Sequence, residues 1–176
     1  MPCLLFKFTP LILLFTNLAF GEEFLIPKKG ATKIQAKDLG SLDFKLQKEL
    51  LGQKVTFQRI ANKTVMKAVH ESKKGLQFEP AETDDVVEIQ LPNLPGGKSI
   101  AATLKVKNSE TKKLPDDKVY TVYYYASSNE MFPIPSTYDP NKQEIEFDLP
   151  TSAFMENKDH KAEVFLVIGI ADVFGP

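Results

Sequence analysis

The sequence feature that most constrains the fold is a strict alternation of apolar and polar side chains, which recurs in separate segments of the chain. Residues 87–91, 100–107 and 144–149 each show this alternation. Successive side chains of a β-strand point to opposite faces, so each segment predicts a strand with one apolar and one solvated face. Half-buried strands of this kind are typical of antiparallel sheets.

Two further segments, residues 119–126 and 163–170, are apolar on both faces. This pattern predicts central strands, which are covered on both sides, or strands whose outer face is covered by a partner. Residues 41–51 fit either a short helix or a strand, and we favour the strand because Phe44 falls off the apolar stripe of the helix. Weaker strand patterns lie at residues 54–60, 64–69 and 76–78.

The strands are separated by clusters of Pro, Gly, Asn and Asp, the residues that form turns. No helical pattern is long enough for a crossover between parallel strands, and residues 150–155 predict a single helical turn. We therefore expect an all-β fold, an antiparallel β-sandwich of about eight strands that is immunoglobulin-like in the broad sense and spans residues 34–174. The alternative is two smaller sandwiches that meet near residues 92–97.

The N-terminus has the pattern of a cleavable secretory signal peptide over residues 1–21. Lys7 is its one charged residue, an apolar run follows, and the small residues Ala19 and Gly21 precede the expected cut. The apolar run is too short to span a membrane. The single cysteine, Cys3, lies within the signal, so we expect a secreted or periplasmic protein that is not lipid-anchored. Residues 22–33 are expected to form a flexible arm.

Charge and motifs exclude several classes of function. The 22 basic and 23 acidic residues are interleaved, which gives no basic surface for nucleic acid. His70 and His160 lie in none of the spacings typical of zinc or nucleophile sites. We predict no catalytic residue, no cofactor and no metal site. Acidic residues without the spacing of a calcium loop are interpreted as solvated turn residues: Asp84, Asp85, Asp116, Asp117 and Asp139.

The most suggestive surface is aromatic. Four tyrosines lie on one predicted strand and a phenylalanine follows, and together they form the candidate partner surface: Tyr120, Tyr123, Tyr124, Tyr125 and Phe132. The alternation places Tyr123 and Tyr125 on the face opposite to Tyr120 and Tyr124, so one pair is expected to point away from the core. Exposed tyrosines are common anchors for partners. The alternative is that the opposing sheet covers one face and the loop at residues 126–141 covers the other.

These features favour an exported, non-catalytic β-sandwich that acts as a protein-binding or assembly module at the cell envelope or in the secreted fraction. A carbohydrate-binding module is the second hypothesis, which the absence of tryptophan weakens. The third is a hydrolase that uses a pair of carboxylates without a recognisable motif.

Overall fold

The fold is an all-β sandwich of two antiparallel sheets, as the alternation predicts. The computed structural model describes residues 22–29, 32–72, 78–80, 86–107, 114–126, 128 and 130–173. The predicted signal peptide and the carboxylates Asp84 and Asp85 lie outside the described residues. In chain order, the strands are β1 (Glu23–Leu25), β2 (Lys33–Ala36), β3 (Gly40–Asp43), β4 (Lys54–Ile60), β5 (Phe78–Pro80), β6 (Val86–Leu91), β7 (Ser99–Lys105), β8 (Lys118–Tyr125), β9 (Met131–Ile134), β10 (Ser136–Asp139), β11 (Glu144–Pro150), β12 (Met155–Glu156) and β13 (Ala162–Asp172).

The larger sheet has eight strands and the smaller sheet has five. The larger sheet runs in the order β1-β4-β6-β13-β8-β9, and β5 and β12 also pair with β13. The smaller sheet runs in the order β10-β11-β7-β3-β2. Each sheet takes strands from both sides of the loop at residues 92–97, because β13 pairs with β6 and β7 pairs with β3. There are more strands than the eight expected, because several have only two to four residues and show little alternation.

The main core lies between the two sheets and is formed by the inward side chains of both. Phe57 and Leu104 are fully buried in it, from the larger and the smaller sheet respectively. The prediction that residues 119–126 and 163–170 form central strands is confirmed, since β8 and β13 are neighbours inside the larger sheet. The chain has a single cysteine, so this packing holds the sheets together without an internal disulfide.

A helix covers part of the outer face of the larger sheet. The helix α1 (Lys63–Ser72) buries Val65 and Val69 completely or nearly so in a second apolar cluster. The Asn62 side chain accepts hydrogen bonds from the backbone amides of Thr64 and Val65, both at 3.1 Å, and so caps its N-terminus. The expected strand at residues 64–69 is therefore wrong, because capping and apolar contacts outweigh the strand preference of β-branched residues. No described helix is long and apolar enough to cross a membrane.

Two other expectations change. The predicted flexible arm at residues 22–33 contains β1, which pairs with β4, and its Ile26 is fully buried. The paired backbone of β1 and the burial of Ile26 place residues 23–26 against the larger sheet. The expected strand at residues 41–51 ends at Asp43, whose side chain accepts a hydrogen bond from the Lys45 amide, and a 3₁₀ turn follows at Lys48–Leu50. The helical turn predicted within residues 150–155 is confirmed at Thr151–Ala153.

Candidate functional site

Three of the four tyrosines proposed as a partner surface are buried. Tyr120 is 1 % exposed and lies in the main core, where its ring meets the edge of Tyr138 at 4.9 Å. Tyr123 and Tyr125, on the other face of β8, lie in the second apolar cluster with α1. The helix covers this face together with Met131 of β9, which is buried in the same cluster and belongs to the segment 126–141 that was expected to form a covering loop. These three side chains are packing residues in this structure.

The two remaining members of the predicted surface reach solvent at the end of β8. Tyr124 is half-buried and stacks on Phe132 with ring centroids 5.5 Å apart. Phe132 is 38 % exposed and lies on β9, an edge strand of the larger sheet. Pro133 follows it on the same strand, and proline in an edge strand opposes pairing with another chain because it lacks an amide hydrogen. The stacked pair is therefore a small apolar contact and not an extended surface.

Burial also affects the ionisation of the tyrosines. It raises the pKa of the Tyr123 hydroxyl, because the phenolate form would lose its hydration. Burial likewise raises the pKa of Tyr138, and the neighbouring Asp139 carboxylate raises it further. Both side chains are therefore neutral at physiological pH, as expected for residues that pack against a core.

A feature that can accommodate a ligand lies on the outer face of the five-stranded sheet. It is an open groove of about 860 Å³, and we refer to this site as the groove. Lys33 and Thr137 lie on its two edge strands, and the three middle strands supply its centre: Ser41, Asp43, Ala101, Thr103, Glu146 and Asp148. No described element packs over this face.

Strand register explains the shape of the groove. Ala101 on β7 is paired with Asp43 on one side and with Asp148 on the other. In the next outward-facing row, Thr103 is paired with Ser41 and Glu146. Ala101 is thus a small side chain between two longer ones, and Thr103 stands beside the longer Glu146, which leaves a trough along β7.

The groove carries more negative than positive charge. Its lining contains three carboxylates, Asp43, Glu146 and Asp148, and one ammonium group, Lys33, which gives a net charge of −2. One oxygen of Asp43 accepts hydrogen bonds from the Thr32 hydroxyl at 2.6 Å and from the Lys45 amide. Glu146 is exposed and forms a long ion pair of 4.0 Å with Lys142, and the Asp148 side chain forms no ion pair or hydrogen bond with any described residue. Glu146 and Asp148 are therefore available to a ligand.

The hairpin between β10 and β11 ends in a charged turn beside the groove. Asp139 accepts hydrogen bonds from the amides of Asn141 and Lys142 and forms an ion pair with the Lys142 ammonium at 3.1 Å. The hydrogen bond with the Lys142 side chain lowers the pKa of Asp139, and the same contact raises the pKa of Lys142. Asp139 thus has the role of a turn residue that the sequence indicated.

Outside the groove, the remaining polar side chains of interest are Glu88 and the two histidines. Glu88, on the outer face of the larger sheet, is 7 % exposed and accepts hydrogen bonds from the side-chain amides of Gln58 and Gln90. The exposed His160 ring lies 2.6 Å from a Glu156 oxygen, and His70 is exposed on α1. Within the described ranges, no three His, Cys, Asp or Glu side chains are placed to hold a metal ion.

Comparison with known proteins gives no relative from which a function could be transferred. No family model, curated protein or solved structure matches this chain.

The groove presents acidic side chains to solvent. Glu146 and Asp148 are exposed, and one oxygen of Asp43 is occupied in holding a turn. The exposed carboxylates of Glu146 and Asp148 can pair with a polar or charged ligand that lies along the trough.

Sequence reasoning did not identify the groove, although its residues stand in patterns that indicate strands. The alternation at residues 100–107 and 144–149 predicted that the polar side chains lie on a solvated face. Nothing in that pattern says that β3, β7 and β11 become neighbours. The run of three carboxylates on one face of β11, at positions 144, 146 and 148, was the available signal.

Proposed function

We propose that this protein is an exported, non-catalytic binding module whose groove binds another protein at the cell envelope or in the secreted fraction. The observation that carries the proposal is the groove itself, which has a volume of about 860 Å³ and lies on a sheet face over which no described element packs. The signal-peptide pattern of residues 1–21 supports export.

The character of the groove favours a segment of a macromolecule over an enclosed small molecule. Sites for small molecules usually bury most of the ligand surface within apolar and aromatic walls. The side chains at the centre of this groove are instead polar or small, and the groove is open to solvent. An extended chain can make contacts along the whole trough without being enclosed.

A protein ligand fits the groove better than a carbohydrate does. Among the lining residues, Phe147 alone is aromatic, and its ring is 6 % exposed and belongs to the main core. The groove thus has no aromatic platform on which a sugar ring could stack. Its negative charge instead complements basic side chains of a protein.

Site-specific crosslinking tests this proposal. Ala101 is exposed at the centre of the groove, and p-benzoylphenylalanine at this position should crosslink to one discrete protein in intact cells that express the protein. The same probe at Ser152, an exposed residue of the Thr151–Ala153 turn, is the matched control and should give no such adduct. Mass spectrometry of the adducts identifies the partner.

Two outcomes would contradict the proposal. One is that position 101 gives no protein adduct, or the same adducts as position 152. The other is binding on a glycan array that Ala101→Trp abolishes and Ser152→Trp does not, which would assign the groove to a carbohydrate. Ala101→Trp fills the groove without entering the core, so circular dichroism should show a folded protein in either case.

A further inference from the structure

We infer that the groove recognises an extended segment of its partner that carries two basic residues separated by one residue. This inference rests on the proposed function and specifies the chemistry of the partner. It follows from the spacing of the carboxylates along and across the five-stranded sheet.

Along the sheet, Glu146 and Asp148 stand two residues apart on β11 and share its outward face. Two residues of a strand span about 6.8 Å. An extended partner chain parallel or antiparallel to β11 presents alternate side chains toward the sheet with the same spacing. Basic residues at positions i and i+2 of the partner can therefore face Asp148 and Glu146 at the same time.

Across the sheet, the first basic position has carboxylates on both sides. Asp43 and Asp148 are each paired with Ala101, so their backbones lie one strand away from it, at about 4.8 Å. The methyl side chain of Ala101 leaves the space between them open. An ammonium or guanidinium group above Ala101 can reach the Asp43 side chain and the Asp148 side chain.

The second basic position lies above Thr103, beside Glu146. On its other side stands Ser41, whose hydroxyl forms a hydrogen bond of 2.8 Å with the Thr103 hydroxyl. Ser41 is buried, so the exposed Glu146 carboxylate is the group that a basic side chain at this position meets. An adjacent pair of basic residues in an extended chain would place only one of them against the sheet, so spacing and not charge alone should decide affinity.

Two ten-residue peptides test the inference. Both contain two lysines and eight threonine or serine residues, and the lysines are separated by one residue in the first and adjacent in the second. Nuclear magnetic resonance titration of the full chain at low ionic strength should show about fivefold tighter binding of the first peptide, corresponding to one additional ion pair. Added salt should reduce this difference because it screens exposed charges.

Charge-neutralising variants show which carboxylates cause the preference for the spaced peptide. Glu146→Gln combined with Asp148→Asn should remove the preference for the spaced peptide and weaken its binding about tenfold. Asp116→Asn combined with Asp159→Asn makes the same change in net charge at exposed turn residues and should leave the preference intact. Equal binding of the two peptides, or equal weakening by both double variants, would overturn the inference. A crosslinked partner at position 101 would still support the proposed function in that case.

Discussion

Replacement of Gly40 by alanine should lower the free energy of unfolding by about 4 kcal/mol, because two unfavourable terms combine at this position. Gly40 has φ = +137°, a conformation that residues with a Cβ atom rarely adopt. A Cβ atom at this position would also lie 2.0 Å from the carbonyl oxygen of Thr103 on the neighbouring strand. Relief of that contact requires β3 and β7 to separate beneath the groove. Urea denaturation followed by circular dichroism measures the loss.

Gly96→Ala is the matched control for this prediction. The backbone of Gly96 is not in the positive-φ region, and a Cβ atom there would meet the carboxylate end of the flexible Glu49 side chain at 3.0 Å. The alanine variant retains the hydrogen bond that the backbone amide of residue 96 donates to the Glu49 carboxylate. We expect a change of about 0.5 kcal/mol or less. Equal losses in the two variants would show that β3 and β7 do not approach each other so closely at Gly40.

Replacement of Tyr123 by alanine should cost about 3–5 kcal/mol, the range for removal of a large aromatic side chain from a core. Tyr123 is 6 % exposed in the cluster that joins the outer face of the larger sheet to α1. The cavity left behind would lie beside the helix side chains Val65 and Val69. Amide hydrogen exchange should therefore accelerate in the helix Lys63–Ser72 more than in β7 or β11.

Phe132→Ala provides the comparison for the tyrosine variant. Phe132 was predicted as part of the same partner surface, but it is 38 % exposed and touches Tyr124 from an edge strand. Its loss should cost about 1 kcal/mol, the value of an exposed aromatic contact. A small effect of Tyr123→Ala, similar to that of Phe132→Ala, would contradict the burial of β8 beneath α1.

Several of the longer strands were predictable from the sequence because local alternation marks them. Val87 and Ile89 face the main core, while Glu88 between them faces outward, as period two requires. The two-sided apolar pattern of residues 163–170 also placed β13 correctly between two neighbours. These predictions depend only on which side chains avoid water.

The helix α1 was not predicted because its stability comes from contacts distant in sequence. The β-branched residues Thr64, Val65 and Val69 favour a strand locally. In the structure, Val65 and Val69 share one face of the helix and pack in a cluster with Tyr123 and Val167 of the larger sheet. Asn62 at the N-cap, followed by apolar residues at helical spacing, was the signal that could have identified the helix.

The groove and the burial of the tyrosines could not be predicted for the same reason, which is that both depend on tertiary structure. Alternation shows that Tyr123 and Tyr120 lie on opposite faces of β8, but the element that covers each face is decided by tertiary structure. In the same way, the carboxylates of β11 were expected on a solvated face. Their position around Ala101 depends on the pairing of β3, β7 and β11, which no local pattern encodes.

The groove, and not the aromatic strand, is the proposed binding surface. Chemical-shift mapping of the full chain with the spaced-lysine peptide tests this assignment most directly. We expect the largest amide shifts on the outer face of the five-stranded sheet, at Asp43, Ala101, Thr103, Glu146 and Asp148. Shifts concentrated instead at Tyr124, Phe132 and the helix Lys63–Ser72 would contradict it.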